Sequence, residues 1–198
     1  MTYDDAIRMQ NEIAKKVVTQ DEFSEINRIC GVDVAYMGDA AFCSAVVMER
    51  NSKLIESVDA ETVATHSYVP GLLMLREAEP IIHALRMLVS SYDLLLVDGH
   101  GILHPRKCGL ACHIGVILDK PTIGIAKSLL CGTVKPGGYM ELAGEILGYA
   151  ASNKMYVSVG HKISLKTAIA IVKELGIEPL RNADINSKAQ KMRKGLRS

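Results

Sequence analysis

Apolar positions along the chain change period several times, and these changes mark out its elements. Between residues 4 and 18, Ile7, Ile13, Ala14, Val17 and Val18 recur at helical spacing and predict an amino-terminal helix. Three strand-like runs follow, over 28–37, 40–50 and 53–64. Gly38-Asp39 and Asn51-Ser52 lie at the two joints, so turn residues link the runs into a three-strand antiparallel meander. Pro70-Gly71 opens a helix to about residue 89, in which Met74, Ala78, Ile81, Ile82, Leu85, Leu88 and Val89 form an apolar stripe. Pro80 falls inside it and predicts a kink or local break.

A buried strand over 93–98, a helix over 109–119 and a short strand Thr122 to Ala126 come next. A loop region with Gly132, Gly137 and Gly138 leads to strands near 145–151 and 155–159, then a helix over 164–175. A meander followed by strand–helix–strand units implies an α/β fold, a mixed sheet of antiparallel and parallel strands with helices on both faces. In that arrangement the first meander strand lies beside the 93–98 strand, and Asp33 and Asp98 become neighbours.

Composition narrows the class. With 198 residues, 48% hydrophobic and 23% charged, the chain reads as one ordinary globular domain. The net charge of +1 conceals a basic end: Lys188, Lys191, Arg193, Lys194 and Arg197 occur with no acid among them. This divides the chain into a domain over 1–187 and a solvated basic tail over 188–198, which a polyanion can use. Five cysteines, an odd number, and an acidic start, Met1-Thr2-Tyr3-Asp4-Asp5, with no apolar segment behind it, predict reduced thiols and a cytoplasmic location. No apolar run reaches the roughly 18 residues that span a bilayer, so no membrane association is expected.

The chemistry centres on acids in apolar surroundings. Asp98 closes the run Tyr92 to Val97 and is followed at once by Gly99-His100-Gly101. The carboxyl end of a buried strand is where open α/β sheets hold their ligands. Asp33 sits within Ile29-Cys30-Gly31-Val32-Asp33-Val34-Ala35-Tyr36. Burying one such charge costs several kcal/mol unless it is paired or bound to a cation, and a hard divalent metal explains two of them together. Glu77 flanks the apolar stripe one turn before Ile81 and is the third acid of interest. Three carboxylates at one sheet end make a divalent metal site with room for water and a substrate phosphate.

Plainer readings stand beside these. Each acid alone is a turn cap or an ion-pair partner, Lys127 a surface lysine ending a strand, His104 a loop histidine and Tyr68 a half-packed loop tyrosine. His104, Cys108, Cys112 and His113 invite a zinc reading, but their spacing matches no closed structural pattern. Cys108 and Cys112 are better read as small hydrophobes on the buried face of the 109–119 helix. Gly99 and Gly101 lack the third glycine of a dinucleotide fingerprint.

Five segments together carry a resemblance. They are Gly31 to Tyr36; Tyr68-Val69-Pro70-Gly71-Leu72-Leu73 through Arg76-Glu77; Val97-Asp98-Gly99-His100-Gly101 through His104-Pro105-Arg106; Pro121 to Ser128; and Val157 to His161. In order and spacing, over nearly the whole chain, they resemble endonuclease V. The resemblance implies a ribonuclease H-like α/β fold and a metal-dependent endonuclease using Mg2+, with Mn2+ as a substitute. It further implies nicking at the second phosphodiester bond 3′ to a deaminated adenine, inosine. Asp33, Glu77 and Asp98 match the family's metal-binding acids, and Asp184 falls at a further metal-site position. Lys127 matches a catalytic lysine and His104 an active-site histidine. Tyr68, Val69 and Pro70 match a wedge that fills the gap left by a displaced base, with Ser67 where typical members have proline. Gly71, Leu73, Gly99 and Gly124 are then expected to shape a lesion pocket that rejects bases carrying an exocyclic amine. His161 is read either as a contact to the strand backbone or as a loop residue. The implied partner is inosine-containing DNA, with RNA open, bound by a monomer. Two rival readings remain: a ribonuclease H-like nuclease without inosine preference, and a nucleic-acid-binding protein that does not cut.

Overall fold

The computed structural model describes residues 2–196. Its elements are α1 (Tyr3–Ala14), β1 (Arg28–Met37), β2 (Ala40–Glu49), β3 (Leu54–Val63), α2 (Met74–Met87), β4 (Leu94–Asp98), α3 (Leu110–Leu118), β5 (Thr122–Ala126), β6 (Thr133–Val134), β7 (Tyr139–Leu142), β8 (Glu145–Ser152), β9 (Met155–His161), α4 (Leu165–Leu175) and α5 (Glu178–Gly195). The strands form one nine-stranded sheet in the order β3-β2-β1-β4-β5-β9-β8-β7-β6. The expected meander is present, with β1 antiparallel to β2 and β2 to β3. β1, β4 and β5 run parallel, so their carboxyl ends share one sheet edge. Val32 pairs with Val97, which sets Asp33 beside Asp98 as the sequence pattern predicts.

Leu94, Leu95, Leu96 and Val97 are all buried because both faces of β4 are covered. Alternate side chains split between two cores: Leu95 and Val97 belong with residues of α2 and α3, Leu94 and Leu96 with residues of α4 and α5. α1 starts at a Thr2–Asp5 capping box and ends at Ala14, short of the expected residue 18. Val18 has instead left the helix, donating its N–H to His161 Nδ1 (3.2 Å) and accepting from the Lys162 N–H (2.7 Å).

The sequence pattern was wrong at three places. α2 runs through Pro80 without interruption. A proline cannot donate to the carbonyl four residues back, which here is Arg76. The Tyr36 hydroxyl from β1 donates to that carbonyl instead (3.1 Å), while the Arg76 guanidinium stacks 3.9 Å over the Tyr36 ring. The glycine-rich loop contains two short strands, β6 and β7, added at the sheet edge. Finally, the stretch after 177 is a single helix, α5, which crosses residue 188 without a break. Its basic residues are tied down rather than free: Lys188 pairs with Asp184, Arg193 with Asp59 and Lys194 with Glu61. The expectations that touch Met1, Arg197 and Ser198 lie outside the described residues.

α5 reaches the sheet through Gly31. A Cβ there would lie 2.2 Å from the backbone nitrogen of Leu180 and 2.3 Å from the Pro179 carbonyl carbon. Gly31 and Asp33, two apart on β1, face the same way, so the close approach that Gly31 permits also brings α5 over Asp33. Gly31→Ala is expected to force the helix outward. Overpacking of this kind costs about 1–3 kcal/mol, read as a melting temperature lower by several degrees in thermal unfolding. A melting curve that matches the wild type would show that the helix does not depend on this contact.

Candidate active site

Three strands and one helix bring the functional groups to one edge. Asp33 comes from the carboxyl half of β1, Asp98 from the last position of β4, Lys127 from the residue after β5, and Asp184 from the second turn of α5. Oxygens of Asp33, Asp98 and Asp184 lie within 4.8 Å of one another. Hard carboxylate oxygens converging from separate elements form a donor set suited to a divalent cation, and the residues fit one. Among the described residues this is the cluster with metal-ligand spacing; His104, Cys108, Cys112 and His113 form none.

The Lys127 ammonium sits in the middle of these acids, 2.5 Å from Asp98, 2.8 Å from Asp184 and 3.7 Å from Asp33. Its pKa is raised: burial works against the charge, but the hydrogen bonds it donates to Asp184 and Asp98 outweigh it. Asp33 is 6% exposed. Burial, reinforced by the neighbouring Asp98, pushes its carboxyl up to about 7, against the opposing hydrogen bond from Ser187. Asp184 is shifted the other way, since Lys127 and Lys188 overcome its partial burial. Lys127 therefore serves all three acids, and Lys188 serves Asp184 from the outside.

Glu77 lines the same cleft from the first turn of α2. Burial, with the charges of Asp98 and Asp33, holds its carboxyl well above the usual range. It stands outside the tight trio, in which Asp184, expected as a further member of the site, joins Asp33 and Asp98. The cleft, about 320 Å³, is also lined by Tyr68, Gly71, Leu73, Gly99 and His104. Tyr68 is 59% exposed at its rim, Pro70 is exposed beside it, and Val69 turns inward against the core. Gly124 does not line the cleft. It lies under the 99–101 turn, where a Cβ would come 2.6 Å from the Gly99 oxygen and the Gly101 nitrogen.

His104 lines the cleft and is held by hydrogen bonds at both ring nitrogens. The Arg106 N–H donates to its Nδ1 (3.2 Å), so that nitrogen is bare and Nε2 carries the proton, donating to the Gly71 carbonyl (3.0 Å). Burial and the Arg106 charge push its pKa down to about 4, so the ring is neutral and both nitrogens are engaged within the protein. The same Gly71 carbonyl accepts from Arg106 (2.7 Å) and from the Gln10 amide (3.0 Å). Gly71 aims its carbonyl at these donors from a φ of +77°, which suits glycine. His104 is thus a positioning residue for the loop that follows Tyr68. His161 lies away from the site, paired with Thr122 at the opposite end of β5.

Sequence reasoning missed several contributors. Buried Gln10 ties α1 to Gly71 and to the Cys108 carbonyl (2.9 Å). Buried Ser187 donates to Asp33 Oδ2 at 2.6 Å. His100 lines the cleft and its Nε2 lies 3.0 Å from the Ser128 carbonyl. Only Ser187 carried a signal, being three residues beyond Asp184, and it required knowing that both lie on a helix.

Two outcomes are expected. Ser187→Ala leaves the fold intact but lowers divalent-cation affinity by roughly 10-fold, measured by calorimetric titration; unchanged affinity would show that Asp33 needs no such support. Asp33→Asn stabilises the metal-free protein at neutral and higher pH. The folded pKa of Asp33, about 7, exceeds that of an unfolded carboxylate, so wild-type stability falls as pH rises from about 4 towards 7. Even one unit of that shift is about 1.4 kcal/mol, roughly 3–6 °C for a domain of this size. Equal melting temperatures at pH about 8 would sink this reading.

Comparison with known proteins agrees with this geometry. The sequence model of the Endonuclease V family matches residues 11–185. An endonuclease V of Thermofilum pendens is 46% identical over 201 residues, covering 93% of this chain and 87% of its own. The crystal structure of endonuclease V from Streptomyces avermitilis superposes with a TM-score of 0.88 at 30% identity, covering 98% of this chain and 95% of that one. Ciona intestinalis endonuclease V, solved in complex with a 24mer DNA containing an inosine followed by a ribo-adenosine, gives a TM-score of 0.86 at 26% identity, over 96% and 98% of the two chains. The chain belongs to the endonuclease V family of nucleases.

Proposed function

We propose that this protein nicks inosine-containing nucleic acid at the second phosphodiester bond 3′ to the inosine, with Mg2+ as its cation and Mn2+ as a substitute. The observation that carries the reading is the convergence of Asp33, Asp98 and Asp184 around Lys127 at one end of a cleft with Tyr68 at its rim. Asp33, Asp98 and Asp184 would hold the cation, with Glu77 beside them. A cation bound there would polarise the scissile phosphate and lower the pKa of a water. Lys127, a compact positive charge, offsets the negative charge that builds on the phosphate during displacement. His104, Arg106 and Gln10 hold the Gly71 loop, and Tyr68 stands where a wedge would enter the gap left by an extruded base. Gly71, Leu73 and Gly99 present backbone and small apolar surface to that base. All these groups come from one chain, which supports action as a monomer. No helix among the described residues is long and apolar enough to cross a membrane, and the five cysteines are free, which supports a reducing, cytoplasmic setting.

End-labelled DNA and RNA strands bearing one inosine, incubated with Mg2+ and this protein, should be cut one bond beyond the nucleotide that follows the inosine. Asp98→Asn should abolish the cut. Equal cutting of strands with adenosine in place of inosine would instead favour a nuclease without lesion preference, and binding without cutting in either metal would favour a non-cleaving binder. The metal dependence should also follow pH. Asp33 and Glu77 both hold their protons more tightly than ordinary carboxylates, and a cation must displace those protons. Apparent Mg2+ affinity should therefore strengthen between pH about 6 and about 8; a flat profile would rule these carboxylates out as ligands.

A further inference from the structure

A second hollow, also about 320 Å³, lies on the other side of the acid cluster. Lys127 lines both hollows, and Asp184 lines the second, so the Asp33–Asp98–Asp184 group stands between them. The second differs in chemistry. Met155, Ile177, Leu180 and Ile185 give it a mainly apolar surface. Ile185 is 62% exposed, next to Asp184 and between the exposed polar residues Arg181 and Lys188 on the same helix. Two cations border this surface, Lys154 and Arg181. The Lys154 ammonium has no ion-pair partner among the described residues, and Arg181 pairs only with exposed Glu178 one turn away, a contact worth little in water.

We infer that this hollow is the subsite for the nucleotide immediately 3′ to the scissile bond. The inference rests on the proposed reading of the first cleft. A strand that places its extruded base in that cleft and its scissile phosphate at the acids must continue past them, and the second hollow is what it meets. The chemistry there matches a nucleotide. Apolar side chains cover the face of a base and remove it from water, while Lys154 and Arg181 stand where the following phosphates pass and fix the strand's register. Because the contact is to a base face rather than its edge, the subsite accepts any of the four bases. It explains how a cut can fall at a fixed distance from the lesion: the strand is held on both sides of the reacting phosphate.

The test uses strands with one inosine in which the nucleotide just 3′ to the cut is either normal or a tetrahydrofuran abasic residue. A third strand carries the abasic residue several positions farther along. With wild-type protein, KM should rise at least about 5-fold when the base next to the cut is missing and stay unchanged when the distant one is missing. Ile185→Ala, at an exposed position that the fold does not need, should raise KM for the normal strand similarly. It should then show no further loss with the adjacent abasic strand, because the two changes remove one interaction. Equal KM for normal and adjacent abasic strands, with both cut by the wild type, would overturn the subsite while leaving the proposed activity standing. Failure to cut the normal inosine strand would instead remove the reading on which the subsite rests.

Discussion

The constraint around which the site is built is a carboxylate at Asp33, inside an interior strand of a sheet covered on both faces. An isolated charge in that position is too costly to persist, and the neighbouring elements are arranged around its needs. β4 runs parallel to β1 and ends with Asp98 beside it, which makes the electrostatic strain worse. β5, parallel in turn, delivers Lys127 into the group. α5 supplies the Ser187 hydroxyl and a third acid, Asp184. The result holds together through the Lys127 and Lys188 ammoniums and the Ser187 hydroxyl. A protein selected only for stability would replace Asp33 or Asp98 with a neutral residue, so the acid cluster has meaning only towards a cation and the phosphate it would bind.

Helix α5 is the element on which this arrangement turns. It lies against β1 at the distance set by the missing side chain of Gly31, close enough for Ser187 to reach Asp33. The face it gives to the sheet is made of Leu180, Ala183 and Ser187, and Gln190 bonds the Cys43 carbonyl farther along. Small and polar groups replace the usual apolar stripe because the gap is narrow and because acids must be served. Its outer face carries lysines and arginines paired to acids of β3 and of α5 itself. The helix thus contributes both a ligand-bearing face and, through Ile185 and Arg181, one wall of the second hollow.

The cleft on the other side is shaped by a polar knot around the Gly71 carbonyl. Gln10 from α1 and the pair His104 and Arg106 from the loop before α3 all donate to the carbonyl of Gly71. Concentrating three donors on one acceptor fixes the loop after Tyr68 more firmly than packing would, since Tyr68 and Pro70 themselves have little to pack against. The loop thus carries the exposed Tyr68 ring at the rim of the cleft on a fixed backbone.

Much of this was legible in the sequence, and the reasons differ by element. The meander, β4, β5 and α2 appear because their apolar periodicity reports burial directly, and the pairing of Asp33 with Asp98 followed from the order of strands. Asp98 and Lys127 could be singled out because each sits at the carboxyl end of a strand, where a sheet edge exposes its ligands. Other features were decided only in three dimensions. The continuity of α2 through Pro80 needed the Tyr36 hydroxyl, a donor from 40 residues away. α5 was hidden because its buried face carries little apolar signal, and with it were hidden Ser187, the pairing of Asp184 with Lys127 and the second hollow. The neutral, fully engaged state of His104 depended on Gly71 and Arg106 meeting it. Sequence alone determined which residues are buried where an element has a clear apolar period, as in β4 and α2, since that follows from local hydrophobic pattern. Only the tertiary structure decided which polar groups satisfy one another, since a hydrogen bond or ion pair depends on ångström-scale distances between residues that the chain holds far apart.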